Sequence, residues 1–336
     1  MGRTDERRTI LVTGATGYVG GRLVPRLLER GYRVRCLVRD AARLEGKGWK
    51  GVEVATGDVL EYQTLLPALE EVDTAYYLVH AMAGGEEGFE ARDLYAAQNF
   101  GRAAQEAGVR RIIYLGGLGR DKDELSLHLR SRHEVGEQLR SWGVAVTEFR
   151  AGVIIGAGSV SYDLVRYLTE RVPVLISPRW VSTLTQPIAI DDVLRYLVEC
   201  LEKPETEQRV LEIGGRDILS YGQMMLVYAK VRGLKRWLVP VPVLTPRLSS
   251  WWVKLVTPFP VSIARPLIDG VKNQVIVEDP AARQIFGFTP MGYEDAVRIA
   301  LKQAKSSDKT HIRSIPTEKD RRGCNLLYTL LFGSKM

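Results

Sequence analysis

The sequence contains little cysteine and no long hydrophobic run, and these absences exclude several classes of protein. Three cysteines occur in 336 residues, with no CxxC spacing: Cys36, Cys200 and Cys324. They indicate free thiols in a reducing compartment and not a disulfide-stabilised secreted protein. The most apolar region, residues 237–268, is interrupted by charged residues and prolines. The sequence therefore predicts no transmembrane helix.

Histidine is scarce as well, and the positive charge is concentrated at one end. The four histidines show no paired ligand spacing, which predicts no metal site. Residues 302–336 hold eight Lys or Arg against three acidic residues, so +5 of the net +7 lies there. The remaining +2 predicts no nucleic-acid-binding surface on residues 1–301. We interpret residues 302–336 as a basic, flexible tail.

The N-terminal residues and the cysteine usage indicate a cytoplasmic protein. Residues 1–8 are polar and charged, which predicts no signal peptide. An alternative keeps the protein cytoplasmic but attaches it to a membrane surface or a partner protein. Residues 237–268, which are rich in aromatic side chains, or the basic tail would make that contact.

A glycine-rich turn lies between a β-branched apolar run and an amphipathic helix, close to the N-terminus. After the run at 9–12, the sequence reads Thr13-Gly14-Ala15-Thr16-Gly17-Tyr18-Val19-Gly20. Apolar residues then recur at helical spacing as far as Gly31. The helix start offers unpaired N–H groups and a positive dipole end, and glycine lets a pyrophosphate approach the backbone. The segment predicts a dinucleotide-binding turn, with a purely structural turn as the alternative.

Strand and helix patterns alternate six times between the glycine turn and Arg150. This rhythm predicts an α/β fold, a Rossmann-type, doubly wound parallel sheet with helices on both faces. Beyond Arg150, prolines and aromatics increase. We expect an NAD(P)-binding domain at 8–150, remaining strands with a smaller C-terminal lid at 151–301, and the tail. Helices are expected at three places in the lid: after a cap at Asp191-Asp192, at Ser220, and after Asp279-Pro280.

The end of the second strand bears on the choice of dinucleotide. An acidic residue there usually binds the adenosine ribose, but this strand ends in Val38-Arg39-Asp40. A cation after an apolar residue suits a 2′-phosphate, so we favour NADP(H) over NAD(H). Arg39 could alternatively pair with Asp40 or Glu45.

Four further residues at strand ends are expected near the cofactor. Asp58 and Val59 follow the third strand and are placed to meet the adenine edge. The alternative for Asp58 is a helix N-cap. Leu78 and His80 follow the fourth strand, and a structural hydrogen bond is the alternative role of His80.

Seven segments follow, in order and spacing, the extended and atypical short-chain dehydrogenase/reductases. They are Thr13 to Gly20, Gly57-Asp58, Tyr77 to His80, Asn99, Ile112 to Gly117, Arg150 to Val153, and Gln186 to Val193. Over about residues 9–300 the chain resembles the atypical, NmrA-like branch, which is similar to nucleoside-diphosphate-sugar epimerases. The resemblance implies the Rossmann fold and an NAD(P)H cofactor.

The catalytic helix departs from the pattern that the resemblance implies. Redox-active members place Ser at the end of strand five and then Tyr-x-x-x-Lys. Here the Ser position falls on Gly116 or Gly117, and His128 and Arg132 align with Tyr and Lys. Four residues apart, they share one helix face. His128 could serve as general acid or base and Arg132 could bind ribose or phosphate. A helix-surface histidine is the structural alternative.

Our first hypothesis is an NADP(H)-dependent oxidoreductase for a small, apolar carbonyl or quinone-like substrate. The loss of Ser, Tyr and Lys together favours an alternative, a non-catalytic NADP(H)-binding redox sensor or assembly protein. A sugar-nucleotide epimerase or dehydratase is disfavoured because that chemistry needs the same Tyr and Lys. Aromatic residues of the lid could line a substrate pocket: Trp180, Tyr221, Trp237, Trp251 and Trp252.

Overall fold

The computed structural model describes residues 8–80, 88–120, 125–177, 179–240 and 270–310. The strands within these ranges are β1 (Thr9–Thr13), β2 (Arg33–Val38), β3 (Glu53–Thr56), β4 (Thr74–Tyr77), β5 (Arg111–Gly117), β6 (Ala145–Ala151), β7 (Ile154–Ile155), β8 (Val174–Ser177), β9 (Leu184–Thr185), β10 (Ile188–Ala189), β11 (Val210–Ile213), β12 (Leu219–Ser220) and β13 (Trp237–Pro240). The helices are α1 (Gly20–Glu29), α2 (Tyr62–Leu69), α3 (Phe89–Glu106), α4 (Leu127–Arg140), α5 (Val160–Arg171), α6 (Ile190–Glu199), α7 (Tyr221–Arg232), α8 (Ala281–Phe286) and α9 (Tyr293–Thr310).

Seven parallel strands form the main sheet, in the order β3-β2-β1-β4-β5-β6-β11. The chain first moves outward from β1 to β3 and then crosses to β4 on the other side of β1. This reversal creates a crevice at the carboxyl ends of β1 and β4, where open α/β sheets bind ligands. The predicted Rossmann fold is confirmed.

Helices cover both faces of this sheet because its central strands are apolar on both sides. In β1, Ile10 and Val12 belong to the core beneath α1, α6 and α8, whereas Leu11 belongs to the core beneath α2, α3 and α4. Alternate side chains of a strand point to opposite faces, so a continuous apolar run indicates a strand that is buried twice. The predicted helices on both faces are therefore confirmed.

A third core lies in the C-terminal half, where α5, α7 and α9 pack together. Its buried side chains include Leu168, Met224, Tyr228 and Val297. Three two-stranded pairs accompany it: β7 with β10 and β8 with β13 are parallel, and β9 with β12 is antiparallel. These elements stand beside the carboxyl edge of the main sheet and supply walls of the cavity described below.

Two of the three predicted helix starts in this half differ from the structure. The N-cap of α6 is Ala189, not the Asp191-Asp192 pair. Asp192 instead accepts a hydrogen bond from the Met291 N–H at 2.7 Å, and Asp191 forms an ion pair with Arg26. Both carboxylates therefore bind partners on other parts of the chain, and neither caps α6.

The other two helix starts depend on local capping. Ser220 caps α7 as predicted, in a reciprocal capping box with Gln223. The N-cap of α8 is Pro280, so the predicted cap at Asp279 is displaced by one residue, and Gly287 ends the helix with φ of 66°. The Asp279 carboxylate still accepts a hydrogen bond from the N–H of Ala281, the first residue of the helix.

The segments predicted to contact a membrane or a partner lie only partly within the described residues. Of residues 237–268, the structure describes β13, in which Trp237 is 60% exposed. Residues 241–268, with Trp251 and Trp252, and residues 311–336 lie outside the described part, as does the side chain of Trp180. Helix α9 runs through 302–310. Within the described ranges, no helix is both long and apolar enough to cross a bilayer.

Candidate functional site

The glycine turn between β1 and α1 is closed by its own backbone. Gly14 has φ of 64°, and its carbonyl accepts a hydrogen bond from the Gly17 N–H at 2.9 Å. A Cβ on Gly14 would lie 2.6 Å from the carbonyl oxygen of Leu78, and one on Gly20 would lie 2.3 Å from that of Gly14. No side chain fits at either position. These two glycines are needed by the protein's own packing.

Gly17 is less tightly packed than these two glycines. It is exposed, its φ is negative, and its Cβ would meet only the Gly14 carbonyl oxygen, at 3.1 Å, among the described atoms. Just after it, Val19 is the N-cap of α1. The N–H groups of Val19 and Gly20 make no backbone hydrogen bond within the described ranges, whereas that of Gly21 donates to the Gly17 carbonyl at 3.0 Å. A bare backbone surface beside a helix N-terminus fits the diphosphate of a dinucleotide.

The other residues of the turn contribute in different ways. Ala15 is buried in the core beneath α1, so it can offer only backbone to a ligand, while Thr16 is partly exposed. The ring of Tyr18 extends toward the C-terminal half, where a Cβ on Gly156 would come within 2.2 Å of its hydroxyl. The Arg22 guanidinium lies 4.1 Å above that ring. Burial raises the pKa of Tyr18 to about 12, so its hydroxyl is protonated at neutral pH.

One threonine joins the two strands that border the crevice. The Thr13 hydroxyl accepts a hydrogen bond from the Leu78 N–H at 2.9 Å and donates one to the Tyr76 carbonyl at 3.0 Å. The Leu78 carbonyl then lies against Gly14. The predicted cofactor residue Leu78 is thereby fixed at the base of the glycine turn.

The predicted adenosine residues lie at the ends of β2 and β3. Arg39 is exposed and has no side-chain hydrogen bond or ion pair within the described ranges. Within the described ranges the alternative pairing with Asp40 or Glu45 does not occur, and the Asp40 carboxylate accepts a hydrogen bond from the Ala42 N–H. Asp58 accepts from the Leu60 N–H at 3.0 Å, whereas the N-cap of α2 is Glu61. The N-cap alternative for Asp58 is therefore wrong.

The loop that carries Asp58 and Val59 is held from α3. The Asn99 side chain donates hydrogen bonds to the carbonyls of Val59, at 3.2 Å, and Leu60, at 3.1 Å. Asn99 itself is buried. This anchor fixes the backbone at the position expected to meet the adenine.

A cavity of about 290 Å³ opens at the carboxyl ends of β5 and β6, one strand away from the crevice. His80, His128 and Arg132 line one part of it. Helices α5 and α7 supply apolar walls, which include Val160, Leu164, Val165, Leu168 and Met225. Tyr221 is the one predicted lid aromatic that lines the described walls. The cavity combines a polar end with an apolar body, as small-molecule sites do.

The polar end contains a chain of three side chains. Asp93 Oδ2 lies 2.6 Å from His80 Nδ1, and His80 Nε2 lies 3.3 Å from His128 Nδ1. The sequence placed His80 near the cofactor and His128 on the catalytic helix, but it did not identify Asp93. Asp93 lies on α3, and nothing in its local sequence marks it as a partner of a histidine on another element.

Burial dominates the electrostatics of both histidines. It lowers the pKa of His80, although the hydrogen bond that His80 donates to Asp93 opposes that shift. Burial, His80 and Arg132 together lower the pKa of His128 to about 3. Both imidazoles are therefore neutral at neutral pH in the free protein. A neutral imidazole has one N–H and one accepting nitrogen, so it can give or take a proton.

Arg132 and the end of β5 complete the polar end. The Arg132 guanidinium donates to the Leu115 carbonyl and lies 5.3 Å from the centre of the Tyr114 ring. At the position of the missing serine, a Cβ on Gly117 would lie 2.9 Å from Leu129, and one on Gly116 would lie 3.1 Å from Glu148. A side chain at the serine position would therefore require the end of the Leu129 or Glu148 side chain to shift.

The lowered pKa of His128 predicts how stability depends on pH. A group whose pKa is lower in the folded state gives stability above its unfolded pKa of about 6.5, and this stability is lost as pH falls toward the folded pKa. The free energy of unfolding should fall by up to about 1.4 kcal/mol per pH unit from this group in that window. For His128→Gln, the free energy of unfolding should fall less steeply as pH decreases. Urea unfolding at several pH values measures both slopes, and parallel curves would contradict the prediction.

Comparisons with known proteins agree with the Rossmann fold. The model of the NmrA-like family matches residues 6–261. A ceramide reductase of Caulobacter vibrioides is 28% identical over 243 residues, which cover 71% of this chain and 75% of that protein. A photosystem II assembly factor of Cyanophora paradoxa is 26% identical over 239 residues, 70% of this chain and 72% of that protein. Three other curated relatives match over about a third of their own length.

Among solved structures, an NADPH-dependent quinone oxidoreductase of Escherichia coli in complex with NADPH is similar to this chain. The TM-score is 0.71 at 19% identity, and the match covers 86% of this chain and 98% of that one. At this level of identity the likeness establishes a shared fold.

Proposed function

Because the chain belongs to the NmrA-like family, we propose that it is an NADP(H)-dependent oxidoreductase for a small, apolar carbonyl or quinone-like substrate. One observation carries the proposal: the apolar cavity beside the crevice has His128 and Arg132 at its polar end. Such a site can hold an apolar body while it places an oxygen atom against proton-carrying groups. The similarity to a ceramide reductase and the shared fold with a quinone oxidoreductase support it.

Each residue at the polar end has a part in this chemistry. When bound, NADPH would supply the hydride. His128 would hold or give the proton at the substrate oxygen. Arg132 would bind the ribose or a phosphate in place of its hydrogen bond to the Leu115 carbonyl. The walls from α5 and α7 would exclude water from the reacting carbon.

Arg39, which has no side-chain partner among the described residues, supports NADP(H) as the cofactor. Its guanidinium is exposed at the end of β2, where a 2′-phosphate would lie in this fold. Arg39→Gln should weaken NADPH binding about tenfold, since losing one charged contact costs about 1.4 kcal/mol. NADH binding should stay unchanged.

Calorimetric titration of the two cofactors measures this selectivity. Arg33→Gln is the matched control, because Arg33 is an exposed arginine at the opposite end of the same strand. Equal losses for NADPH and NADH in Arg39→Gln would argue against 2′-phosphate recognition.

The proposed activity is tested with purified protein, NADPH, and a panel of quinones, aldehydes and ketones of increasing apolar size. We expect NADPH oxidation that depends on the second substrate and increases with the apolar character of that substrate. Tight NADPH binding without turnover of any panel member would instead support the second candidate.

The second candidate is a non-catalytic NADP(H)-binding protein that serves as a redox sensor or an assembly factor. The replacement of Ser, Tyr and Lys and the similarity to a photosystem II assembly factor favour it. It predicts a partner protein whose affinity changes between NADPH and NADP⁺. Affinity capture with each cofactor form tests that expectation.

A further inference from the structure

We propose that Asp93, His80 and His128 form a proton relay in which one added proton converts the substrate-facing nitrogen of His128 from an acceptor into a donor. The relay thereby decides whether the site is ready to oxidise an alcohol or to reduce a carbonyl. This inference rests on the proposed oxidoreductase function and adds two residues, Asp93 and His80, that act through His128.

The carboxylate fixes the first proton of the relay. An ionised Asp93 can only accept hydrogen bonds, and its Oδ2 lies 2.6 Å from His80 Nδ1. His80 Nδ1 must therefore carry hydrogen. In a neutral imidazole the other nitrogen, Nε2, is then an acceptor.

The second contact passes this constraint to His128. His80 Nε2 lies 3.3 Å from His128 Nδ1, so an accepting Nε2 requires His128 Nδ1 to carry hydrogen. That leaves His128 Nε2 as an acceptor, and this nitrogen has no hydrogen-bond partner within the described ranges. In this accepting state the site can take a proton from a substrate hydroxyl.

One additional proton reverses the contact between the histidines. His80 then carries hydrogen on both nitrogens, its positive charge faces Asp93, and its Nε2–H donates to His128 Nδ1. His128 remains neutral, but its hydrogen now lies on Nε2. In this donating state the site can protonate the oxygen of a carbonyl as hydride adds to the carbon.

The protons balance for both carbonyl reduction and alcohol oxidation. A carbonyl gains a hydride from NADPH and a proton from His128 Nε2, which yields an alcohol and NADP⁺. His128 Nδ1 takes the hydrogen of His80 Nε2, and the relay is left in the accepting state. Water returns one proton to His80 before the next reduction, and alcohol oxidation runs the same transfers in reverse.

The groups around the relay determine where each proton binds. Asp93 faces His80 from α3 and Arg132 faces it from α4, while Tyr77 of β4 and Tyr114 of β5 interact with Asp93 and Arg132. Burial raises the pKa of both tyrosines, so they are uncharged. The first proton therefore binds to His80, which contacts Asp93, and it does so at a pH below the usual histidine pKa. A second proton binds to His128 only in strong acid, because the pKa of His128 is lowered to about 3.

Nitrogen-15 NMR of the histidines in the cofactor-free protein tests the relay without any assay of turnover. Assignments come from His80→Gln and His128→Gln. We expect Nδ1–H on both residues at pH 8, with both Nε2 atoms unprotonated. On acidification, His80 should titrate first, and the hydrogen of His128 should move to Nε2. A protonated Nε2 on His128 at pH 8 would overturn the proposal.

The pH dependence of the reaction tests the same relay in catalysis. For the wild type, kcat/KM for carbonyl reduction should fall about tenfold per pH unit above the pKa of His80, while kcat/KM for alcohol oxidation rises toward a plateau. Asp93→Asn should lower the pKa of His80 and shift both profiles to lower pH by the same amount. Asp93→Glu should restore the profiles in part.

Glu90→Gln removes a carboxylate from the first turn of the same helix and is the control that should leave the profiles unchanged. A wild type that binds NADPH but turns nothing over would defeat the oxidoreductase proposal and not the NMR result. Turnover by the wild type with superimposable Asp93→Asn profiles would overturn the relay alone.

Discussion

Gly17→Asp should reduce NADPH affinity by at least 100-fold without unfolding the protein. Gly17 is exposed and its φ is negative, and its Cβ position lies 3.1 Å from one described atom, the Gly14 carbonyl oxygen, so a side chain requires that oxygen to shift by only a few tenths of an ångström. A carboxylate there would stand where the diphosphate must approach the backbone. Repulsion between like charges beside the helix start would remove about 2.7 kcal/mol or more of binding free energy.

Gly17→Asn separates charge from size, because asparagine has nearly the same shape as aspartate and no charge. We expect a much smaller loss of NADPH affinity for this variant, measured by the same calorimetric titration. Thermal unfolding without cofactor should be similar for both variants. Equal affinities of wild type and Gly17→Asp would mean that the turn does not bind the diphosphate.

His128→Gln should lower kcat/KM for the proposed reaction by about 100-fold or more while NADPH affinity stays unchanged. General acid–base groups contribute on the order of 10²- to 10⁴-fold to enzymatic rates. Glutamine keeps much of the volume of histidine and can hydrogen-bond, but it cannot transfer a proton at neutral pH. The expected loss therefore reports proton transfer and not a collapse of the cavity.

The matched control is Arg130→Gln, on the exposed face of α4 two residues further on. It should leave both turnover and NADPH binding unaltered. If His128→Gln retains full turnover, His128 is not the proton carrier, and the polar end of the cavity needs another one.

The parts of the site that the sequence predicted are those encoded over short stretches. From Thr9 to Glu29, the apolar run, the glycines and the helical spacing act on neighbouring residues, so strand, turn and helix could all be predicted. Ser220 is similar, because its capping partner Gln223 is three residues away. Interactions between residues close in sequence determine these elements, so the sequence pattern is sufficient to predict them.

What the sequence did not reveal depends on contacts between distant elements. Asp93 meets His80 only because α3 packs beside the carboxyl end of β4. Likewise, Asp192 accepts a hydrogen bond from Met291, a residue 99 positions away, so it does not cap α6. No spacing rule relates such pairs. The pairing of His80 with His128 was hidden for the same reason, although each histidine had been singled out alone.

A crystal structure of the protein with NADP⁺ bound is the most direct test of the central claim, that the glycine turn holds a diphosphate and thereby brings the nicotinamide to His128. We predict the diphosphate against the backbone of Thr16 to Gly20, the 2′-phosphate beside Arg39, and the nicotinamide ring within contact of His128. A cofactor bound elsewhere, or a nicotinamide ring turned away from the cavity, would contradict the account.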